Sequence, residues 1–303
     1  MPDRRGAPNG LILRKGHVVA EWGDTRRVDL TFSVTKSVLA TVAGLALDRG
    51  LIDDVHDPVH EYVDDGGFES PHNRRITWHH LLQGTSEWRG ELFGKPDRAD
   101  RREGEDRDLR DPGTFWEYND VRVNRLSLSL LRVWEKPLPA VFRDEVMDPV
   151  GASDTWQWHG YDNSDVTVAG ERITSVSGGG HWGGGLWIDS RDLARFGHLH
   201  LNRGRWRDRR ILSSEWVDAA TTPCDIKPEY GYLWWLNTDG ILWPDVSHDS
   251  FAALGHGSNI VWIHPEHDIV AVVRWFSGGD DKHEHMNGLF RRIVDALESS
   301  DEG

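Results

Sequence analysis

The chain has a single cysteine, Cys224, so no internal disulfide can staple it. No stretch approaches 18 consecutive apolar residues, so no transmembrane helix is expected. The opening MPDRRGAPNG lacks the apolar run of a secretory leader, and a cytoplasmic protein is the expectation. Positive charge is short as well: 35 basic residues stand against 50 acidic ones, a net −15. Phosphate contact needs a basic face, so neither nucleic acid nor a membrane surface is an expected partner. Among the basic residues lysine is scarce, six against 29 arginines. Genomic base composition and salt adaptation both produce such a bias. Either way, each lysine is less apt to be accidental. What remains is ample: 303 residues, 38% hydrophobic, with 16 Trp and 32 Gly, enough for one large domain or two intimate ones.

One of those lysines lies in VDLTFSVTKSVLATVAGLALDRGLID, which holds the chain's Ser-x-x-Lys, Ser33 and Lys36. Val34, Val38, Leu39, Val42, Leu45 and Leu47 recur at mostly helical spacing, and Arg49-Gly50 makes a natural stop. Ser33 then heads a helix, where backbone N–H groups point outward and favour negative charge. Lys36 follows on the same face. A hydroxyl, an amine to take its proton and donors for an oxyanion make a workable nucleophile. The same tetrad also reads as a serine N-cap with a solvated lysine, so the decision rests on the rest of the chain.

Leu11–Arg14 and His17–Trp22 read as a hairpin turning at Lys15-Gly16. DDVHDPVHEYVDD and ITWHHLLQGTSEW suggest short helices. Residues 95–113 are almost all charged and read as an exposed loop. VRVNRLSLSLLRVWEK is helical, and a glycine loop leads into a helix capped near Asp189 or Ser190. FAALGHGSNIVWIHPEHDIVAVVRWF gives two strands about a turn at Pro265–Asp268. A last amphipathic helix carries Met286, Leu289, Phe290, Ile293, Val294 and Leu297. Strands at both ends and helices between them suggest one antiparallel sheet built from both termini.

Further pieces join Ser-x-x-Lys in order: WEYNDVRVN with Tyr118, Asn119 and Asp120, then DPVGASDTW, then GGGHWGGGLWIDSRDLARFG, then GHGSN with His256, Gly257, Ser258 and Asn259. With this ordered set, the sequence resembles the serine β-lactamase-like superfamily. It is most similar to its class C branch of family VIII carboxylesterases, D-amino-acid peptidases and 6-aminohexanoate-dimer hydrolases. The resemblance runs from about residue 10 to the C-terminus. It implies an α+β fold, an antiparallel sheet flanked by helices plus a mainly helical domain. On that reading residues 1–60 and 225–303 form the sheet domain, 61–224 the helical one, and the active site lies between them.

By resemblance Ser33 is acylated, Lys36 is proton acceptor or electrostatic partner, and Tyr118 shares the proton shuttle. Asp120 replaces the Asn of the family's Tyr-x-Asn. A literal Tyr-x-Asn at Tyr161-Asp162-Asn163 falls after DPVGASDT, on the wrong side of it, and is set aside. His256-Gly257-Ser258 matches the third motif on the penultimate strand, with His for Lys and Ser for Gly. The resemblance also places the amide of Asn259 in an oxyanion hole with that of Ser33. His181 and Trp182 of the glycine loop are candidate cleft residues, and Tyr230, Trp234 and Trp235 a candidate acyl wall. The activity implied is a serine hydrolase working through an acyl-enzyme on small carboxylic esters. Amide or peptide hydrolysis and β-lactam hydrolysis on the same fold are alternatives, and so is a non-catalytic protein with a penicillin-binding-like cleft. The expected partner is a small ester, amide or lactam, without cofactor or metal; HLH at 198–200 and HEH at 283–285 lack companions in ligand spacing.

Overall fold

Lys15 and Gly16 both take left-handed φ, 49° and 76°, which is what a two-residue turn between right-twisted strands requires. They join β1 (Asn9–Arg14) to β2 (His17–Trp22). The computed structural model describes residues 6–179, 184–276 and 282–301. Following the hairpin are β3 (Asp29–Leu30) and α1 (Val34–Asp48), then α2 (Trp78–Gln83) and the small hairpin β4 (Glu91–Leu92) and β5 (Lys95–Pro96). α3 (Asp120–Trp134) and α4 (Leu138–Phe142) lead to the long hairpin β6 (Gln157–Val168) and β7 (Glu171–Val176). After β8 (Gly185–Ile188) and α5 (Ser190–Leu201) come β9 (Arg205–Trp206), β10 (Arg209–Arg210), α6 (Ser214–Ala220) and β11 (Trp235–Leu236). The chain closes with β12 (Phe251–Gly255), β13 (Asn259–His264), β14 (Ile269–Arg274) and α7 (Lys282–Asp301).

The expected sheet from both ends of the chain forms, in the order β11-β12-β13-β14-β1-β2, with Asn9 opposite Arg274. Its central strands β13 and β14 are buried at every position, because helices cover both faces. α5 packs on β1, β13 and β14, while α7 covers the opposite face, its Phe290 ring stacked on Trp262 at 4.1 Å. Between the sheet and α3 runs α1, buried at every residue from Val34 to Ala46.

Beside the helices lies a second antiparallel sheet, of β3, β8, β6 and β7. Its polar-rich β6 carries too little apolar alternation to announce itself. One expectation is corrected: the charged stretch 95–113 is not simply an exposed loop. Glu87, fully buried, accepts hydrogen bonds from Arg107 at 2.7 and 2.8 Å and from Arg122 at 2.7 Å. Arg107 and Arg122 also pair with buried Glu117, and Arg101 with buried Asp97. Apolar content alone hides such a network, because the charges are buried by pairing with one another. No helix of the described residues is long and apolar enough to cross a membrane.

Candidate active site

Ser33 stands at the N-cap of α1, half-buried, immediately after Phe32, whose φ of 53° is left-handed. A bulky side chain there is strained, and such strain is typically held at functional turns. The helix spacing delivers Lys36 to it: Lys36 Nζ donates to Ser33 Oγ at 2.9 Å. Ser33 Oγ in turn makes a long hydrogen bond to the carbonyl of Gly179 at 3.4 Å.

Lys36 is buried, and Asp120, the first residue of α3, meets it with Oδ1 2.7 Å from Nζ. Asn119 caps α3 by accepting from the amide of Arg122, which orients Asp120. Burial works against the Lys36 charge. The Asp120 carboxylate, aided by Tyr118, outweighs it and holds the ammonium above its ordinary value. The Tyr118 ring lies under that ammonium, its centroid 4.8 Å from Nζ. The solvated-lysine reading is thus excluded: Lys36 is buried in a four-residue cluster with Ser33, Tyr118 and Asp120.

Tyr118 belongs to an aromatic wall. Trp235 stacks on it at 6.0 Å and 27°, and Trp116 and buried Tyr230 close the group edge-on. Trp116 carried no signal in the sequence beyond its place two residues before Tyr118. Trp234 does not share this wall. It is buried against Phe196, His200 and Phe251, because successive side chains along an extended segment point to opposite sides.

The third motif is displaced from its expected place. His256, Gly257 and Ser258 form the turn between β12 and β13, with φ of 73° at Gly257 and 55° at Ser258, and only Asn259 enters the penultimate strand. His256 is exposed, its ring edge-on to Phe32 at 5.2 Å. Asn259 is fully buried: its Nδ2 donates to the His256 carbonyl and its Oδ1 accepts from buried Arg274 at 2.5 Å. Gly255, which carried no signal in the sequence, packs against the backbone at Ser33. A Cβ there would lie 2.1 Å from the Thr31 carbonyl oxygen and 3.3 Å from the Ser33 nitrogen. His181 and Trp182 lie outside the described residues.

The rejected Tyr161 does approach the site, though not as a second Tyr-x-Asn. Its hydroxyl pairs with Ser177 Oγ at 2.6 Å and accepts from Asn124 Nδ2 at 3.1 Å. Asn124 Oδ1 accepts from the Gly178 amide, and Ser177 Oγ from the Gly179 amide. The hydroxyl thus braces the backbone whose carbonyl meets Ser33. Burial keeps the Tyr161 phenol above its usual value, against its bonds to Ser177 and Asn124; the Asp120 and Lys36 charges also reach it.

The antiparallel sheet with its flanking helices, and the helix headed by Ser33 between them, make a fold of the β-lactamase and penicillin-binding-protein-like class. The chain belongs to the beta-lactamase family, whose model matches residues 11–297. It is 26% identical over 322 aligned residues to a 6-aminohexanoate-dimer hydrolase of Paenarthrobacter ureafaciens, covering 94% of this chain and 76% of that one. Solved structures share the fold. A Bacillus anthracis protein described as a 6-aminohexanoate-dimer hydrolase superposes with TM-score 0.72 at 16% identity, over 99% of this chain and 81% of the other. A Mycobacterium bovis β-lactamase gives 0.68 at 21%, over 97% and 94%. A family VIII carboxylesterase gives 0.65 at 16%, over 95% and 92%.

Proposed function

We propose that the protein is a serine hydrolase that cleaves small carboxylic esters through an acyl-enzyme on Ser33. The observation that carries this is the 2.9 Å contact from Lys36 Nζ to Ser33 Oγ, with Lys36 itself buried against Asp120 and Tyr118. In the first step Ser33 Oγ attacks the ester carbonyl and its proton passes to the Lys36–Tyr118–Asp120 group. For Lys36 to accept it, its own extra proton moves first to Asp120, which turns the ion pair into a neutral pair. The alkoxide leaves with that proton. Water then adds to the acyl carbon as the group takes its proton, the acyl–Oγ bond breaks, and that proton passes to Ser33 Oγ as the carboxylic acid leaves. The Ser33 amide supplies one oxyanion donor. Gly255 packs beside it, and we take the amide of His256, next along the turn, as the second donor in place of that of Asn259, which enters the ladder opposite Gly255.

Esters suit this site because an ammonium held by Asp120 is a reluctant base, and an alkoxide needs less help to leave than an amine. The wall of Trp116, Tyr118, Tyr230 and Trp235 suits an uncharged acyl group. One observation favours a second reading, an amide or lactam bearing a carboxylate: the Arg102 guanidinium sits over Tyr118, 5.6 Å from the ring centroid. The test is a fluorophosphonate probe with peptide mapping, alongside kcat/KM for p-nitrophenyl esters, short amides, a cephalosporin and a D-alanyl peptide. Labelling at Ser33, its loss in Ser33→Ala, and esters turned over fastest are the expected results. An active Ser33→Ala protein would overturn the mechanism; a cephalosporin or peptide outrunning every ester would replace the substrate class.

A further inference from the structure

We propose that the turn between β13 and β14 binds a first-row transition-metal ion such as Zn²⁺, held by His264, Glu266 and His267, with Glu298 of α7 beside His267. The ligand atoms of the first three all lie within 4.8 Å of one another. Tetrahedral Zn²⁺ with bonds near 2.0–2.1 Å draws its ligand atoms to roughly 3.3–3.5 Å apart. Closing this cluster onto an ion therefore takes movements on the order of 1 Å.

The cluster is more than surface acidity. His264 ends β13 and is 1% exposed, yet its Nδ1 is buried without a hydrogen-bond partner among the described residues. A ring nitrogen buried in this way is a standing cost that a metal or a second polar ligand removes. The His267 ring lies beside that of His264, centroids 5.0 Å apart and planes at 30°. Two imidazoles so close repel if both are protonated, and neutral imidazole is the form that ligates. His267 Nε2 stands 3.4 Å from Glu298 Oε1, too long for a good hydrogen bond and about the spacing of two ligands on one ion. Pro265 opens the single helical turn that carries Glu266 and His267, so its backbone is preset. Two nitrogens with one or two carboxylates select zinc, cobalt, nickel or copper over magnesium or calcium.

The position defines the role. His264 is at the opposite end of β13 from Asn259, on the order of 17 Å away along the strand, so the ion is remote from Ser33. It would tie the last turns of α7 to the sheet, beside the hydrogen bond that Arg14 makes to the Leu297 carbonyl. It is therefore a structural site.

The full-length protein, stripped with a chelator and dialysed, is titrated with ZnCl₂, CoCl₂ and MgCl₂ by calorimetry, with melting curves and the visible spectrum of the cobalt form. Expected are one equivalent of Zn²⁺ bound at micromolar affinity or tighter, a Tm rise of several degrees, tetrahedral cobalt absorption and no response to Mg²⁺. Glu266→Gln combined with His267→Ala, both away from the core, is expected to weaken Zn²⁺ at least tenfold and leave ester hydrolysis unchanged. His283→Ala with His285→Ala is expected to leave Zn²⁺ affinity unchanged. Absence of saturable Zn²⁺ binding would overturn the proposal, as would undiminished affinity in the Glu266/His267 variant.

Discussion

Replacing Asp120 by asparagine tests the electrostatic heart of the site. In the native protein Asp120 Oδ1 lies 2.7 Å from a lysine that is almost wholly buried. Removing its charge leaves burial to act on Lys36 with less opposition, so the lysine is driven below its ordinary value instead of above it. Two readouts follow. If Lys36 must shed a proton before Ser33 can attack, the acidic limb of kcat/KM for a p-nitrophenyl ester moves down by roughly one to three pH units. Breaking a buried pair on one side also costs about 3–5 kcal/mol, a Tm loss on the order of 10 °C at pH 7. The sign of its pH dependence is fixed. A raised folded value means the native pair stabilises fully below the unfolded lysine value near ~10.4, and that stability is lost only as pH climbs towards the higher folded value. In the variant the folded value is depressed, so stability falls as pH drops below ~10.4. The gap between the two proteins is therefore widest near neutrality and narrows as pH climbs towards ~10.4 and beyond. Activity profiles extended from neutrality to pH ~11 and melting curves at pH 7 and 10 measure both. An unmoved acidic limb together with a pH-independent stability gap would refute the coupling of Asp120 to Lys36.

Gly255→Ala places a Cβ against two backbone atoms that cannot yield, so kcat is expected to drop by about 10²-fold from displacement of Ser33, with circular dichroism unchanged. Tyr161→Phe unbraces the Gly178–Gly179 backbone; kcat is expected to fall roughly tenfold with KM little changed, and a raised KM with kcat unchanged would point to a binding role instead. Glu87→Gln leaves Arg107 and Arg122 short of a charge and is expected to cost about 3–5 kcal/mol at pH 7. Burial opposes the Glu87 charge but the arginines hold its carboxyl down at about 2. Its contribution is thus present above the unfolded value near ~4.3 and lost as pH falls towards 2, so chemical denaturation at pH 7 and pH 3 should show the gap shrinking in acid.

The sequence spoke clearly where physics is local. The 3.6-residue spacing from Val34 to Leu45 placed α1, and with it the Ser33–Lys36 contact, because residues three apart on a helix must meet. Lys15-Gly16 and Asp189 announced their turn and cap by residue chemistry alone. What it did not show depends on residues distant in the chain. Gly255 looks like any strand-end glycine until Thr31 and Ser33 are brought against it. The arginines of 95–113 look solvated until Glu87 and Glu117 arrive from either side. Tyr161 fails a motif test based on order along the chain, yet a hairpin folds it back to Ser177 and Asn124. The motif resemblance sets His256 on a strand, and the left-handed Gly257 and Ser258 put it in a turn.

The pairing of β1 with β14 bears on how the protein is made. β1 leaves the ribosome before β2 to β13 and α1 to α6, all of which precede its partner β14 in the chain. At roughly 5–20 residues per second, the first hairpin waits on the order of ten seconds or more with one edge unpaired. Leu11 and Leu13, buried in the finished sheet, lie on that open edge. Vectorial synthesis therefore cannot complete this fold piece by piece from the N-terminus. A nascent chain halted before β14 should remain a client of holding chaperones, and release of the full chain should set off closure of the sheet and assembly of the Ser33 cluster together.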